Sequence, residues 1–293
     1  MPGPQAAWLS PGRRLHLQHG PIDLIVAIEG PGADGGFERA HARFQTILDD
    51  LAANLPTLRS RAPVATTGLC ATALRMVAAV APYANETFVT PMAAVAGSVA
   101  DEMLAAITSK PDTTRASVNN GGDIAFYLAP GTAMRAALAA LPGCIADLDA
   151  RTPARGLATS GWRGRSHSFG IADAVTVAAP TAAGADVAAT LIANAVDLPG
   201  SAKITRQPAC DLSPDSDLGD RHVTVAVAPL TSDEVAAALR LGVAVAHAFA
   251  DRGLISAALL QLGDEAVVVG DAVFGLSADA RHRTHHIAPL TAA

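Results

Sequence analysis

Bulky anchors are scarce in this sequence: aromatic residues make up 4% of its 293 positions, while hydrophobic residues as a whole make up 50%. That balance excludes a chain disordered throughout and predicts alanine- and valine-rich helices and strands packed at close range. Cysteine is also sparse. Cys70, Cys144 and Cys210 are odd in number and far apart, which provides neither a disulfide framework nor a zinc spacing and fits a reducing compartment, the cytoplasm. No apolar run is long enough to span a membrane. The stretch Thr87 to Ala100, free of Asp, Glu, Lys and Arg, contains Pro91 and Gly97 and falls short of the roughly 18 residues needed. Basic charge is in deficit as well: 21 Lys and Arg against 27 Asp and Glu leave a net charge of -6, which argues against nucleic acid and anionic membranes as partners. A small molecule is the expected partner.

Residues 1 to 12 carry three prolines and no basic segment ahead of an apolar one, so they read as a flexible tail and not as a secretory signal. A single domain is expected over 13–280, followed by a second tail over 281–293. Leu15 to Ile28 alternates and then runs apolar, as a strand pair turning at Gly20-Pro21 would. Apolar residues at helical spacing predict helices over Phe37 to Leu55, closed by Asn54-Leu55-Pro56, and over Ala71 to Ala81, Ala93 to Ile107, Ala185 to Val196 and Ser232 to Asp251. Strands are predicted at Ser117 to Leu128, turning at Gly121-Gly122, at both ends of Leu157 to Ala178, and at His222 to Ala228. Ile255 to Gly263 and Glu265 to Val273 read as a closing pair of strands or as a helix and a strand, and Pro199 to Gly219 as a long loop.

Several motifs bear on chemistry. Gly30-Pro31-Gly32-Ala33-Asp34-Gly35 matches G-x-G-x-x-G, but Asp49 and Asp50, about 20 residues on, fall inside a helix instead of ending a second strand, so a plain glycine loop is expected. His16 and His19 lie on an extended segment that does not favour joint ligation, and His282, His285 and His286 stand in the charged tail. The turn Asn119-Asn120-Gly121-Gly122-Asp123 could present backbone N–H groups to a phosphate or simply close a hairpin. Ala158-Thr159-Ser160-Gly161, with Arg163, Arg165 and His167, gathers hydroxyls, guanidiniums and an imidazole suited to a pyrophosphate, or forms a solvated hairpin tip. Asp186 and Thr190, four apart on one helix face, offer oxygen ligands to a hard cation such as magnesium. Taken alone, they are accounted for by helix-start chemistry, with Asp186 in the first turn.

The order of these pieces, G-P-I-D-L-I-V, a long helix, a small-residue helix ending at Asp101, V-N-N-G-G-D, A-T-S-G and A-D-V-A-A-T, resembles the ApbE-like family, in particular a bacterial and archaeal branch of it, over roughly residues 13 to 275. The resemblance implies an α+β, T-fold-like domain with mixed or antiparallel sheets and packed helices. It implies FAD and magnesium as cofactors, and transfer of FMN to a protein threonine or serine or cleavage of FAD. Residue by residue, it makes Asp186, Thr190 and the Ala93 carbonyl the metal ligands, and places Asn120, Gly121, Gly122, Asp123, Ser160 and Gly161 at the nucleotide. Gly97 and Asp101 are kept from the family's G-I-A-K-G-Y-A-V-D segment. Thr90 and Ala96 stand where the family has charged residues, and its H-I-I-D-P-x-T-G stretch is reduced to Ser166-His167-Ser168-Phe169-Gly170. His167 is then the catalytic candidate, and Arg163 and Arg165 are read as replacing the missing charge. Three functions stand open: a magnesium-dependent flavin-nucleotide transferase or pyrophosphatase, with a protein substrate for the transferase, a non-catalytic nucleotide-binding protein on the same scaffold, or a structural or assembly protein. The alanine-rich helices also allow a homodimer.

Overall fold

The computed structural model describes residues 3–10, 13–138, 143–271 and 273–276. In chain order the elements are β1 (Gln5–Leu9), β2 (Arg14–His19), β3 (Ile22–Glu29), α1 (Ala33–Leu58), α2 (Ala71–Val80), a 3-10 turn (Pro91–Ala94) and α3 (Val95–Ile107). Then come β4 (Arg115–Asn120), β5 (Asp123–Leu128), β6 (Ala133–Ala137), β7 (Cys144–Asp149), β8 (Gly156–Ser160), β9 (Ala174–Ala179) and α4 (Ala182–Ala195). The last are β10 (Ile204–Pro208), α5 (Ala209–Leu212), β11 (His222–Val227), α6 (Ser232–Asp251), β12 (Ala257–Leu262), β13 (Glu265–Gly270) and β14 (Phe274–Leu276). Every pairing with a described register is antiparallel, so the architecture is α+β, as expected.

The described residues form two compact units. The first comprises those of Met1–Met134, Asp149–Ala158 and Pro180–Val187, and the second those of Arg135–Leu148, Thr159–Ala179 and Ala188–Ala293. In the first unit, β1 to β5 follow one another as an antiparallel meander, and β8 joins on β5 through Ile124 opposite Leu157. Alternation along β2 and β3 sends Leu15, Leu17, Leu24 and Val26 into a core with Phe37, Phe44 and Ile47 of α1. Helix α3 packs on β4 and β5. Arg43 of α1 ties the helices together, donating to Glu102 of α3 and Asp50 of its own helix, while Arg75 of α2 also pairs with Glu102.

In the second unit β12 lies between β9 and β13, with α6 packed on β12 and β13. Helix α6 begins at a capping box: Thr231 Oγ1 accepts the Glu234 N–H at 3.3 Å, and Glu234 accepts the Thr231 N–H at 2.7 Å. The hairpin β10–β11 and the group β6, β7 and β14 complete the unit.

Four local expectations change. Gln5–Leu9, read as tail, pairs with β2, and the Trp8 ring packs edge-on against Phe37 at 4.9 Å. Helix α1 runs through Pro56 to Leu58, because a proline so near the C-terminus removes only one helix hydrogen bond. The segment Pro199 to Gly219 contains β10 and α5 and so is not wholly loop. Helix α4 starts three residues earlier than expected, which moves Asp186 from its first turn to its second. The predicted tail over 281–293, with His282, His285 and His286, lies outside the described residues.

Candidate functional site

In the first unit, three segments distant in sequence meet at Asp186. Its Oδ2 accepts the Gly97 N–H at 3.0 Å, and the Ala96 N–H also donates to this carboxylate. These donors belong to the first turn of α3, whose early N–H groups have no partner inside the helix. Asn120, at the end of β4, donates from Nδ2 to the Ala96 carbonyl at 3.1 Å. Asp123, two glycines further on, lies close enough for its charge to act on Asp186. The Asn120-to-Asp123 turn is a tight one: Gly121 and Gly122 take φ values of 63° and 117°, and the Asn119 side-chain oxygen accepts the Gly122 N–H at 2.8 Å. Asn120 and Asp123 are both buried. The turn is therefore a hairpin closure whose two flanking polar side chains point into the protein. Ala93 sits in the 3-10 turn just ahead of α3.

Burial, and then the neighbouring Asp123 carboxylate, push Asp186 well above the usual carboxylate range, against the opposing pull of the Gly97 and Ala96 N–H groups. The anion at Asp186 is thus costly as the protein stands. A hard cation would offset that cost by supplying the opposite charge, and a carboxylate such as Asp186 is an oxygen donor of the kind magnesium takes. Among the described residues no group of three or more His, Cys, Asp or Glu is arranged to hold a metal.

Helix α4 continues the polar face of Asp186 through Thr190 and Asn194 at four-residue intervals among buried alanine, valine and isoleucine. Within the second unit, the hydroxyls of Thr190 and Ser160 approach to 3.5 Å. Asn194 Oδ1 accepts from the Ser168 hydroxyl and from the Phe169 N–H, each at 2.9 Å, which anchors the segment just after His167. Gly161 and Gly170 are required by close packing: a Cβ on Gly161 would strike the Asp173 carbonyl, and one on Gly170 the Ala193 carbonyl.

The two arginines differ. Arg163 pairs with Asp173 at 2.5 Å, and its guanidinium stacks on Trp162 at 4.8 Å. Asp173 also accepts from the Gly263 N–H at 2.7 Å and from Trp162 Nε1 at 3.3 Å. Arg163 is therefore committed to the base of its loop, whereas Arg165 and His167 have no side-chain partner among the described residues. The sequence reading missed the partners Asp173, Trp162 and Asn194, because nothing in residue spacing shows contacts made across sequence.

The G-x-G-x-x-G motif, expected as a plain loop, is loop only over Gly30 to Gly32, with Ala33 to Gly35 opening α1, and it is not a phosphate cradle. The Asp112 carboxyl group occupies the space that a Cβ on Gly32 would need, at the start of α1, and the Asp112 carbonyl accepts the Gly32 N–H at 3.0 Å. The protein's own carboxylate takes the place of an anion there.

Fold and cluster together define an α+β protein with antiparallel sheets and a carboxyl-bearing glycine-turn site. The family model described as AbpE bacteria matches residues 6–271, and the chain belongs to that family. A UPF0280 protein of Methanothermobacter thermautotrophicus is 40% identical over 115 residues, 37% of this chain, and the match spans only 43% of that relative's length. Among solved structures, the apo form of the Pseudomonas stutzeri flavinyl transferase ApbE aligns over 92% of this chain and 94% of its own, at 13% identity and a TM-score of 0.43.

Proposed function

We propose that this protein binds FAD or a related flavin nucleotide together with magnesium, the cation held by Asp186, Thr190 and the Ala93 carbonyl and the nucleotide by the Asn120-to-Asp123 turn. Membership in the AbpE bacteria family supports this reading. The observation that carries it is Asp186: a largely buried carboxylate, made costlier by Asp123, placed beside a glycine turn and the first turn of a helix. A bound magnesium ion would neutralise charge on Asp186 and on the pyrophosphate, and the first-turn N–H groups would hold the carboxylate in place. Ser160, Gly161 and Arg165 extend the nucleotide-binding set in the proposal, while Arg163 stiffens its loop through Asp173. The test is calorimetry with FAD in magnesium and in a chelator. Tighter binding in magnesium is expected, and no heat with FAD, FMN, ADP or NAD at millimolar concentration overturns the reading.

Binding without group transfer is the second reading, and one observation favours it. His167, the proposed catalytic group, is half-buried, and among the described residues no neighbouring side chain orients its ring, whereas a general base works when a partner fixes its tautomer and direction. Incubation with FAD, magnesium and a protein carrying acceptor threonines separates the two. A mass increase of one FMN on the acceptor identifies a transferase, and its absence alongside tight FAD binding identifies a binding protein.

A further inference from the structure

We infer that Asp101 is the positioning residue of the proposed cation site, fixing the first turn of α4 and thereby setting where Asp186 stands. The inference rests on the magnesium reading above. Asp101 lies in the second turn of α3, where Oδ1 accepts the Ala182 N–H at 3.1 Å and Oδ2 the Ala183 N–H at 2.9 Å. Those are the first two N–H groups of α4, which have no acceptor within their own helix. One turn along α4, Asp186 returns the contact by accepting the Gly97 N–H, one turn before Asp101 on α3.

The two helices therefore cap each other through a closed four-point clamp: Gly97 and Asp101 on one, Ala182 and Asp186 on the other. Gly97 is the hinge of closest approach, since a Cβ there would run into the Ala182 carbonyl. The contact from Asp101 is more than helix-start chemistry. Helix α4 already has a local cap, Thr181, whose Oγ1 accepts the Gly184 N–H at 3.0 Å. What Asp101 adds is a long-range tie between two helices, and a carboxylate supplies it where a neutral hydroxyl could accept at only one oxygen. Burial raises the Asp101 pKa against the pull of its two N–H donors, so the carboxylate is retained at a cost.

The experiment titrates magnesium chloride alone, and then FAD in magnesium and in chelator, into wild type and the variants Asp101→Ala and Asp101→Asn. Loss of a group that orients a metal ligand weakens metal affinity by about 10- to 100-fold, so Asp101→Ala should fall in that range. Asp101→Asn, which keeps one oxygen acceptor, should fall between Asp101→Ala and wild type, and affinity for FAD in chelator should not move. Glu102→Gln, one residue along and also destabilising, is the control and should keep wild-type magnesium affinity. If Asp101→Ala does not fold, Asp101→Asn decides. Wild-type magnesium affinity in folded Asp101 variants overturns the positioning role and leaves the proposed function standing. A wild type that ignores magnesium overturns both.

Discussion

Asp186 joins two demands that pull in opposite directions. As a cap for α3 it accepts main-chain N–H groups, yet burial and Asp123 raise its pKa, so the folded state holds its proton more tightly than the unfolded chain does. A raised folded-state pKa gives a stabilising contribution that is fully present below the unfolded value and is lost as pH rises through the folded value. At neutral pH the ionised group therefore works against the fold. Asp186→Asn, which keeps an oxygen for the Gly97 N–H and removes the charge, should melt higher than wild type at pH 7 without metal, the difference shrinking as pH falls. The same variant should lose any magnesium-dependent rise in melting temperature, and Thr190→Val should show a smaller rise than wild type. Equal magnesium shifts in wild type and both variants would sink the metal assignment. Stability gained where function is lost marks a residue kept for its site.

At the scale of elements, close approach is set by glycine and charge. Gly97→Ala would place a methyl group against the Ala182 backbone, which has no rotamer with which to yield, so α3 and α4 must part. Overpacking of this kind costs about 1 to 3 kcal/mol, and a lower denaturant midpoint with an unchanged slope is the expected result. The knot at Glu102 behaves differently. Burial raises its pKa, but hydrogen bonds from Arg75 and Arg43 outweigh burial and hold it below the usual range. Its contribution is therefore present at neutral pH and lost as pH falls through the lowered folded-state value. Glu102→Gln, leaving Arg43 short of a charged partner, should cost about 1 to 3 kcal/mol by chemical denaturation at pH 7, and less in acid.

Much of this was legible in the sequence. Periodicity placed α6 at Ser232 to Asp251, and the alternation before and after Gly20-Pro21 placed β2 and β3. Edge and short strands were less so: β1 exposes most of its side chains, β6 alternates around alanines, and neither shows the contrast between apolar and polar positions that marks a half-buried strand. The site was legible as fragments. The glycine turn and the Asp186 and Thr190 pair stand out in the sequence, but that Asp101 caps the helix carrying Asp186, or that Asp173 neutralises Arg163, depends on contacts across 81 and 10 residues that no local pattern encodes.

For the molecule as a whole, net charge decides how a nucleotide can bind. A chain with a formal charge of -6 does not attract an anion through its overall field, so a dinucleotide must be held by local groups. Within the first unit the groups nearest the proposed site are themselves acidic, Asp123, Asp101 and Asp186, which sharpens the requirement for a cation. Two unit charges about 4 Å apart at an effective dielectric near 20 interact by about 4 kcal/mol, and desolvation of the ions returns part of that. A residue of about 1.4 kcal/mol is already a factor of ten in affinity. Magnesium should therefore tighten FAD and ADP by about tenfold or more, because both carry the pyrophosphate that shares the cation, and should leave riboflavin, which has no phosphate, unchanged. Arg165→Ala should weaken FAD and ADP and spare riboflavin, whereas Arg163→Ala should act chiefly on stability, since its guanidinium is already spent on Asp173 and Trp162. Competition calorimetry with the three ligands in magnesium and in chelator reads all of this at once. If riboflavin gains as much from magnesium as FAD does, the cation is not bridging phosphate to Asp186, and the metal on this protein has another role.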